Sequence, residues 1–326
     1  MIVQWTIISD ERPSETQGRG IMTENMFGVD VAKAWIDSFG PSGRERVLTQ
    51  DLAAYAARVA QVQGRVVFEA TGGLEAPLRR ALAQAGVAAY RVNPARARAF
   101  ARSTGRLAKT DRVDAMVLRE MGLRLDLPIC PPEPEELSEI RQLRVRRHQL
   151  VQDRTREVVR GQQAEGAFAK ASIARVLALL EAEIAAIEVE IAAKIAASPE
   201  ARARVELLRS APGVGPVVAT ALLTELPEIG QIDSGAVAAL AGLAPIARDS
   251  GLRTGKRRIG GGRKPLRDAL YLAALSAMRH CPQIRDFAAR LKASGKSGKQ
   301  CVIACARKLL TILNAMVKQN RPFQAM

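Results

Sequence analysis

Four carboxylates in the first third of the chain sit where structural acids are seldom found. Asp30 interrupts the apolar run Phe27-Gly28-Val29-Asp30-Val31-Ala32, and Glu69 ends another, Val66-Val67-Phe68-Glu69. Ionised groups in strands that should be buried are costly unless something compensates them. Asp111 and Asp114 follow Lys109-Thr110 and lie three residues apart, so both project from one face of the helix they begin. Such acids suit Mg2+, with Mn2+ as a substitute. Two ions about 4 Å apart would activate an attacking oxygen and stabilise a leaving one in phosphate chemistry. Each acid also has a plainer reading. Thr110 can cap a helix whose dipole Asp111 and Asp114 complement, and Glu69 can simply end a strand before Gly72-Gly73. Asp30 is the hardest to explain that way.

The elements around these acids alternate. Phe27 to Ala32, Trp35 to Phe39 and Arg46 to Thr49 read as a meander of three strands. A helix follows over Leu52 to Val62, then a strand over Arg65 to Glu69. Thr71-Gly72-Gly73 leads into a helix over Leu74 to Ala85, and a strand over Ala88 to Val92 stops at Asn93-Pro94. This order predicts an α/β mixed sheet flanked by helices, compatible with the ribonuclease H architecture.

Pro128 to Pro134 marks a boundary. Beyond it the chain reads as helical, with long helices over Leu137 to Arg160 and Ile173 to Ile195. The second carries Ile173, Leu177, Leu180, Ile184, Ile187 and Ile191, alternately four and three apart. That is a coiled-coil seam, which needs a partner. The preceding helix is arginine-rich, so the expected partner is another protomer, with an intrachain hairpin as the alternative. The glycines of Pro212-Gly213-Val214-Gly215-Pro216 either expose backbone N–H groups to a phosphate or make a tight helix entry. Helices over Arg267 to His280 and Ser297 to Gln319 read as packing elements. The expected division is a polar extension over 1–25, a catalytic domain over 26–127, a helical oligomerisation segment over 128–204 and a mainly helical domain over 205–326.

Lys and Arg outnumber Asp and Glu 49 to 33, a net charge of +16, which favours a polyanionic partner and salt-sensitive binding. Cys130, Cys281, Cys301 and Cys305 lack metal-site spacing and read as thiols in a reducing cytoplasm. His148 and His280 are too few for a histidine-based zinc site or a Ser-His triad. No stretch reads as long and uncharged enough to span a bilayer.

Gly28-Val29-Asp30-Val31-Ala32-Lys33, Phe68-Glu69-Ala70-Thr71-Gly72 and Lys109-Thr110-Asp111-Arg112-Val113-Asp114-Ala115 together resemble the DEDD domain of insertion-sequence family 110 transposases. These are relatives of the Piv site-specific invertase with a RuvC-like fold. Gly242-Leu243-Ala244-Pro245, Ser250-Gly251 and Gly262-Arg263-Lys264-Pro265-Leu266-Arg267 are similar to the family's second domain. The resemblance runs from about Met26 to Lys318. It implies that Asp30, Glu69, Asp111 and Asp114 bind Mg2+ and that Ser250 is a nucleophile. It also implies recombination of donor and target DNA guided by a structured noncoding RNA, in a homo-oligomer (dimer or tetramer) with composite active sites, in the bacterial cytoplasm at the nucleoid.

Read from the residues alone, Ser250 competes with Ser210, Ser234, Ser276, Ser294 and Ser297. Its neighbourhood favours it: Arg253, Lys256, Arg257, Arg258, Arg263, Lys264 and Arg267 follow, with no acid between Asp249 and Asp268. Such cations would hold a scissile phosphate. A second basic set, Arg91, Arg96, Arg98, Arg102, Arg106 and Lys109, leads into the acidic pair and suits a phosphate backbone. Two other readings stand beside recombination: a RuvC-like nuclease or junction resolvase that forms no covalent link, and a non-catalytic RNA- or DNA-binding protein.

Overall fold

The computed structural model describes residues 25–105, 111–132, 134–247, 249–250, 255 and 257–324, with the helical backbone alone for 111–113. The chain divides into two compact units between Glu133 and Pro134.

In the first unit, β1 (Met26–Val31), β2 (Trp35–Gly40) and β3 (Gly43–Leu48) form an antiparallel meander. Helix α1 (Leu52–Gln61) carries the chain back to β4 (Arg65–Glu69), parallel to β1. Helix α2 (Ala76–Gln84) leads to β5 (Ala88–Val92), parallel to β4. Helices α3 (Pro94–Ser103) and α4 (Asp111–Arg124) follow. The sheet order is β3-β2-β1-β4-β5, so the expected mixed α/β architecture is present and consistent with a RuvC-like DEDD fold.

Strand alternation sorts the apolar residues between two cores. Val29, Val31, Val66 and Phe68 face α1 and α2, packing with Tyr55, Leu78 and Leu82. Met26, Val67, Tyr90 and Val92 face the other way, against Leu118 and Met121 of α4. Helix α4 lies almost in backbone contact with the sheet. A Cβ on Gly28 would come within 2.0 Å of the Ala115 carbonyl oxygen and 2.3 Å of the Arg119 nitrogen. One on Gly122 would meet Val67 Cγ2 at 2.6 Å. Arg119 Nε donates to the Met26 carbonyl at 2.9 Å, a further tie between helix and strand.

The second unit begins with α5 (Glu135–Gln163) and α6 (Ala167–Ala197), which pack on each other. The seam's partner is therefore α5 of the same chain, correcting the preference for another protomer. Ile184, Ile191 and Ile195 are buried, as are Ile140 and Leu150 of α5. The arginines that made α5 look like a poor match bond instead to acids: Arg147 reaches Glu188 of α6, while Arg144 pairs with Glu225. Lys194–Glu139 at 2.7 Å fixes the antiparallel sense.

Helices α7 (Pro199–Arg209), α8 (Pro216–Glu225) and α9 (Ser234–Leu240) precede a two-stranded ribbon of β6 (Pro245–Ile246) and β7 (Arg258–Ile259). Helices α10 (Lys264–His280), α11 (Pro282–Ala293) and α12 (Gly298–Gln319) complete the unit. By length and composition α12 is apolar enough to cross a membrane, contrary to the sequence expectation. Val302, Cys305, Leu309, Leu310 and Leu313 are instead core residues, and a Ser297–Gln300 capping box starts the helix. Cys130, Cys281, Cys301 and Cys305 are free thiols.

The contact at Gly28 yields a stability test. Gly28→Ala forces backbone apart from backbone and should destabilise the protein by about 3 kcal/mol, measured by thermal unfolding of the full chain. An unchanged melting temperature would contradict the close approach.

Candidate active site

The register of the strands assembles a charged row across the sheet. Asp30 of β1 stands opposite Asp37 of β2, and Asp37 stands opposite Arg46 of β3. On the other side, Val29 pairs with Phe68 of β4, so Asp30 and Glu69 are the next positions along that parallel pair. Asp30 shares its face with Gly28, and Glu69 shares its face with Val67; both are faces that α4 covers.

The packing also fixes which end of α4 lies near the acids. Gly122 lies beside Met26, and the Ala115–Arg119 stretch lies beside Gly28. Two strand residues span about 6.6 Å, equal to between four and five helical residues at about 1.5 Å each. One more such step along β1 reaches Asp30, and along α4 it reaches the first turn, which contains Asp111 and Asp114. Asp30 and Glu69 thus share one sheet face at the C-terminal end of β1 and β4, the first turn of α4 with Asp114 lies towards that end, and each of the three is half-buried. The side chain of Asp111 lies outside the described residues. Among the described residues, no three Asp, Glu, His or Cys side chains come close enough to share an ion. The donors are all carboxylate oxygens, and that chemistry fits Mg2+ or Mn2+ rather than a softer metal.

Asp37 was missed by the sequence reading, although it interrupts Trp35-Ile36-Asp37-Ser38-Phe39 much as Asp30 interrupts β1. Its side chain is only 2 % exposed. Arg44 donates to Oδ1 at 2.7 Å, and Arg46 donates to Oδ1 at 3.2 Å and Oδ2 at 2.9 Å. Burial pushes the Asp37 pKa up, but the hydrogen bonds and charges of Arg46 and Arg44 outweigh it and hold the carboxyl below its ordinary value. Arg46 is itself seated over the Trp35 ring, 4.6 Å from its centroid.

A second buried acid holds the loop that follows Glu69. Glu75 Oε2 accepts from Thr71 N, Thr71 Oγ1 and Gly73 N at 3.2, 2.8 and 2.8 Å, and Oε1 accepts from Arg91 at 2.6 Å. Arg91 therefore braces this loop, a role the sequence reading did not give it. Gly72 and Gly73 have φ of 74° and 123°, values that favour glycine in such a turn. Of the remaining basic set, Arg96, Arg98 and Arg102 are exposed on α3, which Asn93 caps. Arg106 and Lys109 lie outside the described residues.

In the second unit Ser250 is exposed, four residues beyond β6. Beside it, Asp249 accepts from Gly255 N at 2.9 Å and from Arg257 at 2.7 Å on each oxygen. Arg258 is exposed on β7, and Lys264 pairs with Asp268 at 2.5 Å. Arg263 is tied into the fold: it grips both oxygens of Glu228, at 2.7 and 2.6 Å, and donates to the Glu225 carbonyl. Arg253 and Lys256 lie outside the described residues. Gly213 serves close packing, since a Cβ there would lie 2.6 Å from the Ala273 carbonyl oxygen of α10.

Glu75 gives a signed pH test. Burial raises its pKa, but hydrogen bonds from its own N–H, Thr71 and Gly73, with the charge of Arg91, bring it below the ordinary glutamate value. A depressed folded pKa contributes stability above the unfolded pKa and loses it as pH falls through the folded one. Glu75→Gln should cost about 2 kcal/mol at neutral pH, and its deficit in unfolding free energy should shrink below about pH 4. A deficit independent of pH would contradict the charge-based clamp.

The chain matches two family profiles, the IS110-type DEDD transposase over residues 28–164 and the "Transposase IS116/IS110/IS902 family" over residues 205–289. It is 33 % identical over 240 residues to the "Pilin gene-inverting protein" of Moraxella bovis, covering 71 % of this chain and 73 % of that one. The protein of the same name from Moraxella lacunata matches to the same extent. An uncharacterized protein of insertion element IS116 from Streptomyces clavuligerus is 34 % identical over 122 residues, 37 % of this chain and 31 % of that one. Matches over both units, in order, with a gene-inverting relative aligned over most of its length, make this chain a member of the IS110 family of transposases, DNA-processing enzymes whose DEDD domain suggests divalent-metal use.

Proposed function

We propose that the protein is an RNA-guided DNA recombinase of an insertion sequence that uses Mg2+ and a serine nucleophile. The observation that supports the reading is that Asp30 and Glu69 share one sheet face and strand end, towards which α4 directs the turn carrying Asp114. Those three acids and Asp111 would hold Mg2+, which supplies charge stabilisation for oxygens attacking and leaving phosphorus. Ser250 Oγ attacks a DNA phosphorus and loses its proton to a base. The bond from phosphorus to the departing deoxyribose oxygen breaks, and that oxygen takes up a proton. Attack by a different DNA hydroxyl on the phosphoserine reverses the step and completes exchange without external energy.

Exposed Arg96, Arg102 and Arg258 are suited to hold the phosphate backbone. Arg106, Lys109, Arg253 and Lys256 are proposed for the same task. Arg257 and Lys264 would exchange Asp249 and Asp268 for phosphate. The gene-inverting name of the Moraxella relatives supports DNA strand exchange. Guide RNA is supported by the motif resemblance, and the scarcity of aromatics, 4 %, suits target choice by pairing between nucleic acids. Apolar residues exposed on α6, Phe168, Leu179 and Val189, support assembly with further copies and composite sites. The protein would act in the bacterial cytoplasm at the nucleoid.

Ser250→Ala should abolish the covalent protein–DNA adduct on denaturing gels while leaving RNA binding intact. An adduct of normal yield would overturn the serine assignment. Cleavage with no adduct in the unaltered protein would favour the hydrolytic reading. Asp30→Asn and Asp114→Asn should each reduce cleavage by about 10^3-fold or more, with little change in melting temperature. Persistent metal-stimulated cleavage in both would overturn the carboxylate assignment.

A further inference from the structure

We propose that the corner between α11 and α12, continued by the first turns of α12, is a further contact for the phosphate backbone of double-stranded DNA. The inference rests on the DNA-acting reading above and adds a surface to it. Residues 282–321 contain nine Lys and Arg but a single acid, Asp286, which lies 3.9 Å from Arg285. Among the described residues, no ion pair neutralises Arg290, Lys292, Lys296, Lys299, Arg307 or Lys308. Elsewhere in the same unit the cations behave differently: Arg144, Arg147, Arg156, Arg160, Arg257 and Lys264 each meet an acid. Clustered like charges repel one another, and a polyanion relieves that cost. All six cations of the face lie beyond residue 289, where the match to the second family profile ends.

Two caps set back to back fix the corner. At the end of α11, Gly295 N donates to the Lys292 carbonyl at 3.0 Å and Lys296 N to the Leu291 carbonyl at 3.1 Å, with Gly295 at φ 80°. At the start of α12, Ser297 Oγ accepts from Gln300 N at 3.4 Å, and Gln300 Oε1 accepts from Ser297 N at 2.9 Å. Three lysines therefore stand on a preformed turn, which lowers the ordering cost of binding. Residues 292–300 are all exposed, and a Cβ on Gly295 or Gly298 would meet nothing within 4 Å. Arg307 lies about 12 Å further along α12 than Lys299. The groups that face outward select the partner. Ser294 Oγ donates to the Leu291 carbonyl at 2.8 Å, and Ser297 bonds with Gln300, so the hydroxyls of the corner are used within it rather than offered to base edges or 2′-hydroxyls. Phe287 of α11 packs on the core beneath Arg290, 6.0 Å from its guanidinium, and is not presented for stacking on single-stranded bases. Cations without stacking or hydroxyl contacts suit the backbone of duplex DNA.

The test is fluorescence anisotropy of the full-length protein with a short labelled DNA duplex of arbitrary sequence, titrated between about 50 and 200 mM salt. Melting temperatures are recorded in parallel. Lys292→Gln, Lys296→Gln and Lys299→Gln together should flatten the slope of log affinity against log salt by about 2 or more and weaken binding about tenfold. A charge-matched control on α5 and α6, Arg156→Gln, Arg160→Gln and Lys170→Gln, should change the slope by less than about 1. Equal losses in the two triple variants overturn the proposal, as does an unchanged slope in the folded corner variant. If the corner variant does not fold, Arg307→Gln with Lys308→Gln decides, with a slope flattened by about 1 or more expected and an unchanged slope contradicting it. A loss at least as large with an RNA duplex of equal length overturns the choice of DNA. Unaltered protein that binds no duplex DNA defeats the DNA-acting reading itself, whereas duplex binding that the corner variant retains in full defeats only this inference.

Discussion

The constraint on which the first unit depends is the near contact of α4 with β1 and β4. Glycine at positions 28 and 122 lets a helix lie on the sheet at backbone distance, and the Arg119–Met26 bond adds a tie at one end. This packing decides which helical turn meets which strand residue. It brings the first turn of α4, which carries Asp114, over the strand ends that carry Asp30 and Glu69, residues spread over 85 positions of sequence. A bulkier residue at position 28 would lift the first turn of α4 away from Asp30 and Glu69 without altering any acid.

Charge compensation then distinguishes the acids by environment. Asp37 and Glu75 are almost fully buried and are held by arginines and backbone N–H groups, so they act on the shape of the site. Asp30 and Glu69 at the strand ends, and Asp114 in the first turn of α4, are half-buried. The second unit follows the same logic with a different outcome. Several arginines that look like ligands for an external anion are engaged by acids of the same chain, and Arg263 with Glu228 joins the start of α10 to the turn after α8.

Much of this was legible because alternation and turn residues mark the five strands closely. Asp30 and Glu69 stood out since a charge within an apolar run is a local signal. Asp37 carried the same signal, but its meaning depends on register: only the pairing of β1, β2 and β3 shows that it lies between Asp30 and Arg46. Glu75 gave no signal, because its partners are loop N–H groups whose direction depends on the turn. The α5–α6 pairing was misjudged for a physical reason, since arginines on α5 cover part of the interface and find acids such as Glu188 and Glu225. Arg263 was read as phosphate-binding because Glu228 lies 35 residues away in sequence.

The claim beneath all of this is that the acids on the α4 face converge to hold a cation. Anomalous scattering from Mn2+ in crystals of the full-length protein tests it most directly. A peak bounded by Asp30, Glu69 and Asp114 is the predicted result. No peak there, with each of these carboxylates closed off by an arginine, would contradict it.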